Sequence, residues 1–324
     1  MQLGMIGLGR MGANMARRLL RGGHAVVGFD PNATARAAIA GDGGGAAESL
    51  AALVAALPAP RTVWMMVPAG AITDSTVESL AGLLAPGDVL IDGGNSNYKD
   101  TLRRAAQLAQ RNVAYVDAGT SGGVWGLDEG YSMMIGGEAT VVERLRPIFE
   151  TLAPAVDKGW GRVGPVGSGH FTKMVHNGIE YGMMQAYAEG FSILQHKKDF
   201  ALDLHQVAEI WRTGSVVRSW LLDLTSDAIG KNPTMEGIAP WVADSGEGRW
   251  TLQEAIDLDV PAPVIAVSLM ARLRSRDNES FTDKLLAAMR NEFGGHEVKL
   301  VCLPAEADLI NSEGFRVRMP VRGR

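Results

Sequence analysis

The sequence predicts an α/β chain, with a doubly wound, mostly parallel sheet in its first half and an all-α segment in its second. Three observations carry this expectation. Short β-rich runs alternate with helical ones as far as about residue 165. A glycine-rich string joins the first strand to the first helix, and after Gly164-Pro165-Val166-Gly167 the strand signals stop while long helical periodicities take over. A length of 324 residues, 46% of them hydrophobic, supplies two cores at about 150 residues per domain. The expected partition is 1–165, 166–297 and a tail, 298–324, whose role the sequence leaves open.

The elements follow in order. Leu3–Ile6, Ala25–Phe29, Thr62–Val67, Val89–Asp92 and Val113–Asp117 read as strands. Met11–Arg21, closed by Gly22-Gly23, and Ala33–Ala40 read as helices between them. Helical patterns then occupy 170–196, 203–224, 252–258, 261–274 and 279–292, with an irregular loop over Gly230–Asp244. Thirty-one basic against 36 acidic residues give a net charge of −5, so a nucleic-acid surface has no general support. The single Cys302 excludes an intramolecular disulfide framework, and six histidines without ligand spacing suggest no metal site. No leader pattern opens the chain, and the Ala51–Leu57 run falls far short of the ~20 residues of a membrane span, so a soluble cytoplasmic protein is expected.

Gly7-Leu8-Gly9-Arg10-Met11-Gly12 is a GxGxxG string between strand and helix, the dinucleotide fingerprint of a Rossmann-type sheet. Gly7 permits the turn, Gly9 lets a pyrophosphate approach the backbone, and Gly12 permits close helix packing. The string alone can be a mere glycine turn, but the next strand ends at Asp30, placed to accept from ribose hydroxyls and repel a 2′-phosphate. NAD is therefore expected over NADP, with Arg36 as a nearby cation that could hold a phosphate. Val67, Pro68 and Asn95, at carboxyl ends of strands, would meet the nicotinamide half.

Lys173, His176, Asn177 and Glu180 recur at i, i+3, i+4 and i+7, on one face of a helix. Such a quartet is often a solvated stripe. Here Met174, Val175, Ile179, Met183 and Met184 cover much of the remaining circumference and read as buried, which argues for an interior helix whose charges need partners or a ligand. A desolvated lysine can act as general base on an alcohol, and a glutamate beside it can return a proton. Ser121, Gly122 and Gly123 form a plausible donor nest for a carboxylate, or else a flexible loop.

Together the strings GLGRMG, MMVPAG, DGGNSNY, GTSGGVWG, KMVHNGIEYGMMQAYAEG, DSGEGRWT and RNEFGGH, spread over 1–297, resemble the decarboxylating 6-phosphogluconate dehydrogenase family, in its short-chain NAD branch. The resemblance implies conversion of 6-phospho-D-gluconate to D-ribulose 5-phosphate and CO2 with reduction of NAD, a pentose phosphate pathway reaction. It implies Lys173 as base and then acid, and Glu180 as the acid that protonates the enediol. Asn95, Ser121, Gly122, Gly123, His176 and Asn177 would be substrate contacts, with Tyr181 and Arg272 as phosphate ligands. Arg290 and His296 would enter the pocket of a neighbouring subunit in a homodimer or tetramer. Ser245 and Glu247 stand where longer relatives carry a lysine and a threonine as phosphate contacts. Two other readings use fewer of these residues. A 3-hydroxyisobutyrate-type dehydrogenase needs Lys173 and the SGG loop alone, and a non-catalytic dinucleotide-sensing protein needs only the glycine and Asp30 sites.

Overall fold

The computed structural model of the protein describes residues 1–292. Its sheet contains β1 (Gln2–Ile6), β2 (Ala25–Phe29), β3 (Gly45–Ala46), β4 (Thr62–Met65), β5 (Val89–Asp92), β6 (Ala114–Ser121), β7 (Ser132–Gly136) and β8 (Trp160–Gly164). The spatial order is β3-β2-β1-β4-β5-β6-β7-β8, and every pairing is parallel except β6 with β7. The order reverses between β1 and β4, which opens a crevice at their carboxyl ends. Three strands, β3, β7 and β8, go beyond the five expected. They lack the β-branched run that marks β4 and β5, whose residues are all buried.

Between and after the strands run α1 (Arg10–Arg21), α2 (Ala33–Gly41), α3 (Leu50–Ala55), α4 (Ala71–Ala81), α5 (Tyr98–Ala109), the single turn α6 (Gly126–Glu129) and α7 (Ala139–Leu152). They bury apolar faces on both sides of the sheet. One core gathers Met15, Leu19, Trp64, Leu145 and Phe149, the other Leu53, Val77, Leu80 and Leu108. The chain then continues as α8 (Ser168–His196), α9 (Leu204–Arg212), α10 (Trp220–Lys231), α11 (Glu247–Asp257), α12 (Pro263–Arg274) and α13 (Phe281–Glu292). The helix expected over 203–224 is two, parted at Gly214, whose φ of +74° leaves helical space. Among the described residues no helix is long and apolar enough to cross a membrane.

Met1–Arg274 form one compact unit, and α13 lies in a second that begins at Ser275. Glycines explain why α8 is not set apart from the sheet. A Cβ on Gly119 of β6 would lie 2.5 Å from both the Gly169 carbonyl oxygen and Lys173 Cβ, and one on Gly169 would lie 2.5 Å from the Met134 carbonyl oxygen of β7. The first turns of α8 therefore rest directly on two strands.

Candidate active site

The glycine loop after β1 shows the three separate demands of its spacing. Gly7 has φ +86°, and a Cβ there would lie 2.3 Å from the Met66 carbonyl oxygen. A Cβ on Gly12 would stand 1.9 Å from the Gly7 carbonyl oxygen, whereas one on Gly9 would meet nothing within 4 Å. Open space over Gly9 and an α1 N-terminus without a side-chain cap leave backbone amides free for a pyrophosphate. Asp30 accepts from the Leu8 amide (2.8 Å) and the Asn32 amide (2.8 Å), so it fixes this loop while lining the cleft. Leu8 thus spends its amide on Asp30 and its side chain in the core. Arg36 donates to the carbonyl oxygens of Asp30 and Pro31 at 2.8 and 3.1 Å, an arrangement that turns the guanidinium onto the chain. These residues fit a dinucleotide whose ribose keeps its 2′-hydroxyl.

Val67, Pro68 and Asn95 line the same cleft beyond β4 and β5. Beside Asn95 lies a buried hydrogen-bond network centred on Asp92. Asp92, fully buried, accepts from the Gly94 amide (3.0 Å), the Ser96 hydroxyl (3.0 Å) and the Tyr115 hydroxyl (2.8 Å), with Arg104 3.7 Å away. Burial, reinforced by the Asp92 charge, pushes the Tyr115 hydroxyl well up, so it stays a donor.

The helix that carries the polar stripe is held from the sheet. Asp117 of β6 is fully buried, and its two oxygens accept from the amides of Gly167 (2.7 Å) and His170 (2.8 Å) at the start of α8. A carboxylate at a helix N-terminus satisfies orphan amides and meets the positive end of the dipole. The His170 ring, buried in the same turn, meets the Thr101 hydroxyl at 2.7 Å. One turn on, the stripe converges on His176: its Nδ1 lies 3.4 Å from Lys173 Nζ, 3.1 Å from Asn177 Oδ1 and 4.0 Å from Glu180 Oε2. Lys173 is 9% exposed, and burial pulls its ammonium down from the ordinary lysine range against the opposing charges of Glu180 and Glu247.

All four stripe residues, Ser121, Gly122 and Gly123 line the cleft of about 1490 Å³ that also holds Gly7, Gly9, Arg10, Met11, Gly12 and Asp30. That volume exceeds the ~300–1,000 Å³ of a single small-ligand pocket, leaving room for a dinucleotide with a second molecule. Trp220, Leu221 and Leu224 of α10, with Ser219 just before it, close one wall, unforeseen because nothing local in sequence ties them to the stripe. Ile179, Met183 and Met184, expected buried, are 53%, 38% and 40% exposed, and the first two line the cleft.

Tyr181 and Arg272 form a neighbouring cluster outside this lining. The guanidinium lies 3.5 Å from the Tyr181 ring centroid, and the Tyr181 hydroxyl is 3.4 Å from both Asp244 Oδ1 and Ser245 Oγ. Glu247, 1% exposed, turns its carboxylate onto the Ser245 hydroxyl and offers no charge at the surface. Arg290 is exposed in the last turn of α13, in the second compact unit, and His296 lies outside the described residues.

Comparison with known proteins accounts for both halves. Residues 2–161 match the model of the NAD binding domain of 6-phosphogluconate dehydrogenase, and residues 169–285 that of its C-terminal domain. The chain is 45% identical over 299 residues, 92% of this chain and 98% of the other, to the NAD(+)-dependent, decarboxylating 6-phosphogluconate dehydrogenase of Haloferax volcanii. The structure of Plasmodium falciparum 6-phosphogluconate dehydrogenase superposes with a TM-score of 0.80 at 26% identity, over 96% of this chain and 70% of that one. Mycobacterium tuberculosis 3-hydroxyisobutyrate dehydrogenase gives 0.70 at 22% identity over 86% and 94%, a likeness of fold.

Proposed function

The chain belongs to the 6-phosphogluconate dehydrogenase family, and from that premise we propose that it oxidises and decarboxylates 6-phospho-D-gluconate to D-ribulose 5-phosphate and CO2 with NAD, using the α8 stripe for its proton transfers. The single observation that carries the proposal is the convergence of Lys173, Asn177 and Glu180 on His176 in a cleft shared with the glycine loop.

Bound NAD supplies the hydride acceptor. Neutral Lys173 would take the proton of the substrate hydroxyl β to the carboxylate as the hydrogen on the same carbon leaves as hydride to that acceptor, which gives a β-keto acid. As an ammonium it then donates to the ketone oxygen while the carbon–carbon bond to the carboxylate breaks and CO2 departs. Glu180, in its acid form, delivers a proton to the enediol carbon, and the hydroxyl proton returns to Lys173. Ser121 and the amides of Gly122 and Gly123 would orient the carboxylate, with Asn95, His176 and Asn177 against the sugar hydroxyls. Tyr181 and Arg272, with Ser245 beside them, would receive the phosphate. Arg290 and His296 would complete the site of a neighbouring subunit in a homo-oligomer. A 3-hydroxyisobutyrate-type reaction would stop at hydride removal and leave Glu180 without a task.

The test supplies NAD with 6-phosphogluconate, and separately with 3-hydroxyisobutyrate, and follows NADH and CO2 together. The proposal expects both products in equal amounts from the phosphosugar acid; NADH from the simple hydroxy acid alone contradicts it.

A further inference from the structure

We propose that Arg104 is a positioning residue for the hydride transfer: its buried guanidinium ties together the two loops that face the nicotinamide half of the cleft. The inference rests on the reaction proposed above. Val67 and Pro68, between β4 and α4, and Gly94 and Asn95, between β5 and α5, line the cleft. A Cβ on Gly94 would lie 3.0 Å from the Val67 carbonyl oxygen, so the two loops touch.

Each loop is anchored just behind its cleft residues. On α4, the fully buried Thr73 donates its hydroxyl to the Pro68 carbonyl oxygen at 2.9 Å, and the Asp74 amide donates to that of Gly70 at 3.0 Å. In the second loop, Asp92 at the end of β5 accepts from the Gly94 amide and the Ser96 hydroxyl, both at 3.0 Å. A Cβ on Gly93 would stand 2.3 Å from the Trp64 indole nitrogen, so this backbone also rests on β4. Asn95 is the exposed residue between two held ones.

Arg104, on α5, joins the two anchors. Its Nε donates to Asp74 Oδ1 at 2.8 Å and its Nη1 to Ser96 Oγ at 3.1 Å, with Asp92 Oδ2 3.7 Å away. Its side chain is 1% exposed, whereas Arg103, which also meets Asp74, does so from the solvent side. Replacing a buried ion pair by apolar side chains of similar volume is often neutral or stabilising, so stability alone does not call for this arginine. What a planar guanidinium adds is direction, because Nε and Nη1 leave it along fixed lines, one to each anchor. The clamp thereby fixes the separation of the 67–70 and 93–96 backbones, and with it the orientation of a nicotinamide lying against Val67, Pro68 and Asn95.

Hydride transfer depends steeply on that orientation: reacting atoms must stand about 3–3.5 Å apart, and a displacement of about 1 Å costs about a hundredfold. NAD affinity would rest instead on the glycine loop and Asp30, at the other end of the cleft.

The test uses the full chain with saturating NAD and 6-phosphogluconate, the substrate carrying hydrogen or deuterium on the carbon to be oxidised, and follows NADH in the first turnover by rapid mixing. Arg104→Lys keeps the charge but loses the fork. It should lower the first-turnover rate constant by about tenfold to a hundredfold, leave the Kd for NAD within about threefold, and give a slowed phase that deuterium slows further. A merely structural role would lower the amplitude with the folded fraction and leave the rate constant unchanged. That result overturns the proposal, as does a Kd that rises in step with the rate loss, or a slowed phase indifferent to deuterium. Asp74, with 40% of its side chain exposed, supplies a second pair of variants. Asp74→Ala should reproduce the slow phase, and Asp74→Asn, which keeps an oxygen for Nε, should recover most of the rate. Equal rates for those two overturn the proposal even if Arg104→Lys does not fold. Failure of the unmodified protein to reduce NAD with 6-phosphogluconate would instead overturn the reaction on which the inference rests.

Discussion

In the proposed reaction Lys173 meets two opposite demands, as a neutral base before oxidation and as a cation after it. Burial lowers its affinity for the proton, so the base form becomes available below the ordinary lysine value of about 10.4. The sign follows: kcat/KM should rise with pH through that lowered value, and a profile without such an acid limb would remove Lys173 as the base. Lys173→Met should leave NAD binding nearly intact and cut turnover by more than the ~10²–10⁴ of one proton transfer, measured by titration and steady-state kinetics. At the other end of the cleft, Asp30 holds the Leu8 amide and would accept from a ribose hydroxyl. Asp30→Ala should narrow the preference for NAD over NADP by about 1–3 kcal/mol, read as the ratio of kcat/KM values. An unchanged ratio would assign the discrimination elsewhere.

Helix α8 is the element through which sheet and chemistry communicate. Asp117 caps it across fifty positions of sequence, and the glycines at 119 and 169 let it sit on the strands. Asp117→Ala would bury two amides without an acceptor at about 1–3 kcal/mol each, and should lower both Tm and kcat while the NAD affinity of the glycine loop persists. Loss of NAD binding in step with kcat would mean that the cap supports the whole fold instead. The glycine loop and the stripe were legible because each is a spacing within one local segment: six residues around a turn, eight along a helix. The cap, the Asp92 network and the α10 wall were not, since each joins residues far apart in sequence whose types are ordinary in turns and helices. Strands β7 and β8 escaped for a related reason: Ser132–Gly136 and Trp160–Gly164 each hold a single β-branched residue among glycine, methionine and polar ones, and pairing makes them strands. The exposure of Ile179 and Met183 reverses the expected orientation, because apolar residues line a ligand cleft as readily as they fill a core.

At the scale of the whole molecule, the substrate brings about three negative charges, from its phosphate and carboxylate. Lys173 must be neutral when the substrate binds, which leaves Arg272 as the cation named for the phosphate in the first unit. Arg290, exposed at the end of α13, is the candidate for a second, supplied by another copy of the chain. Mixing inactive Lys173→Met and Arg290→Ala variants under subunit exchange should return part of the activity, since some hybrid sites then combine Lys173 of one chain with Arg290 of the other. No return, with exchange confirmed independently, would exclude Arg290 from a shared site. The central claim is that one helix face divides oxidation from the protonation that ends the reaction, and rapid mixing of Glu180→Gln with NAD and 6-phosphogluconate tests it most directly. The account predicts that NADH still forms in the first turnover while release of ribulose 5-phosphate slows; unchanged steady-state turnover in Glu180→Gln would contradict it.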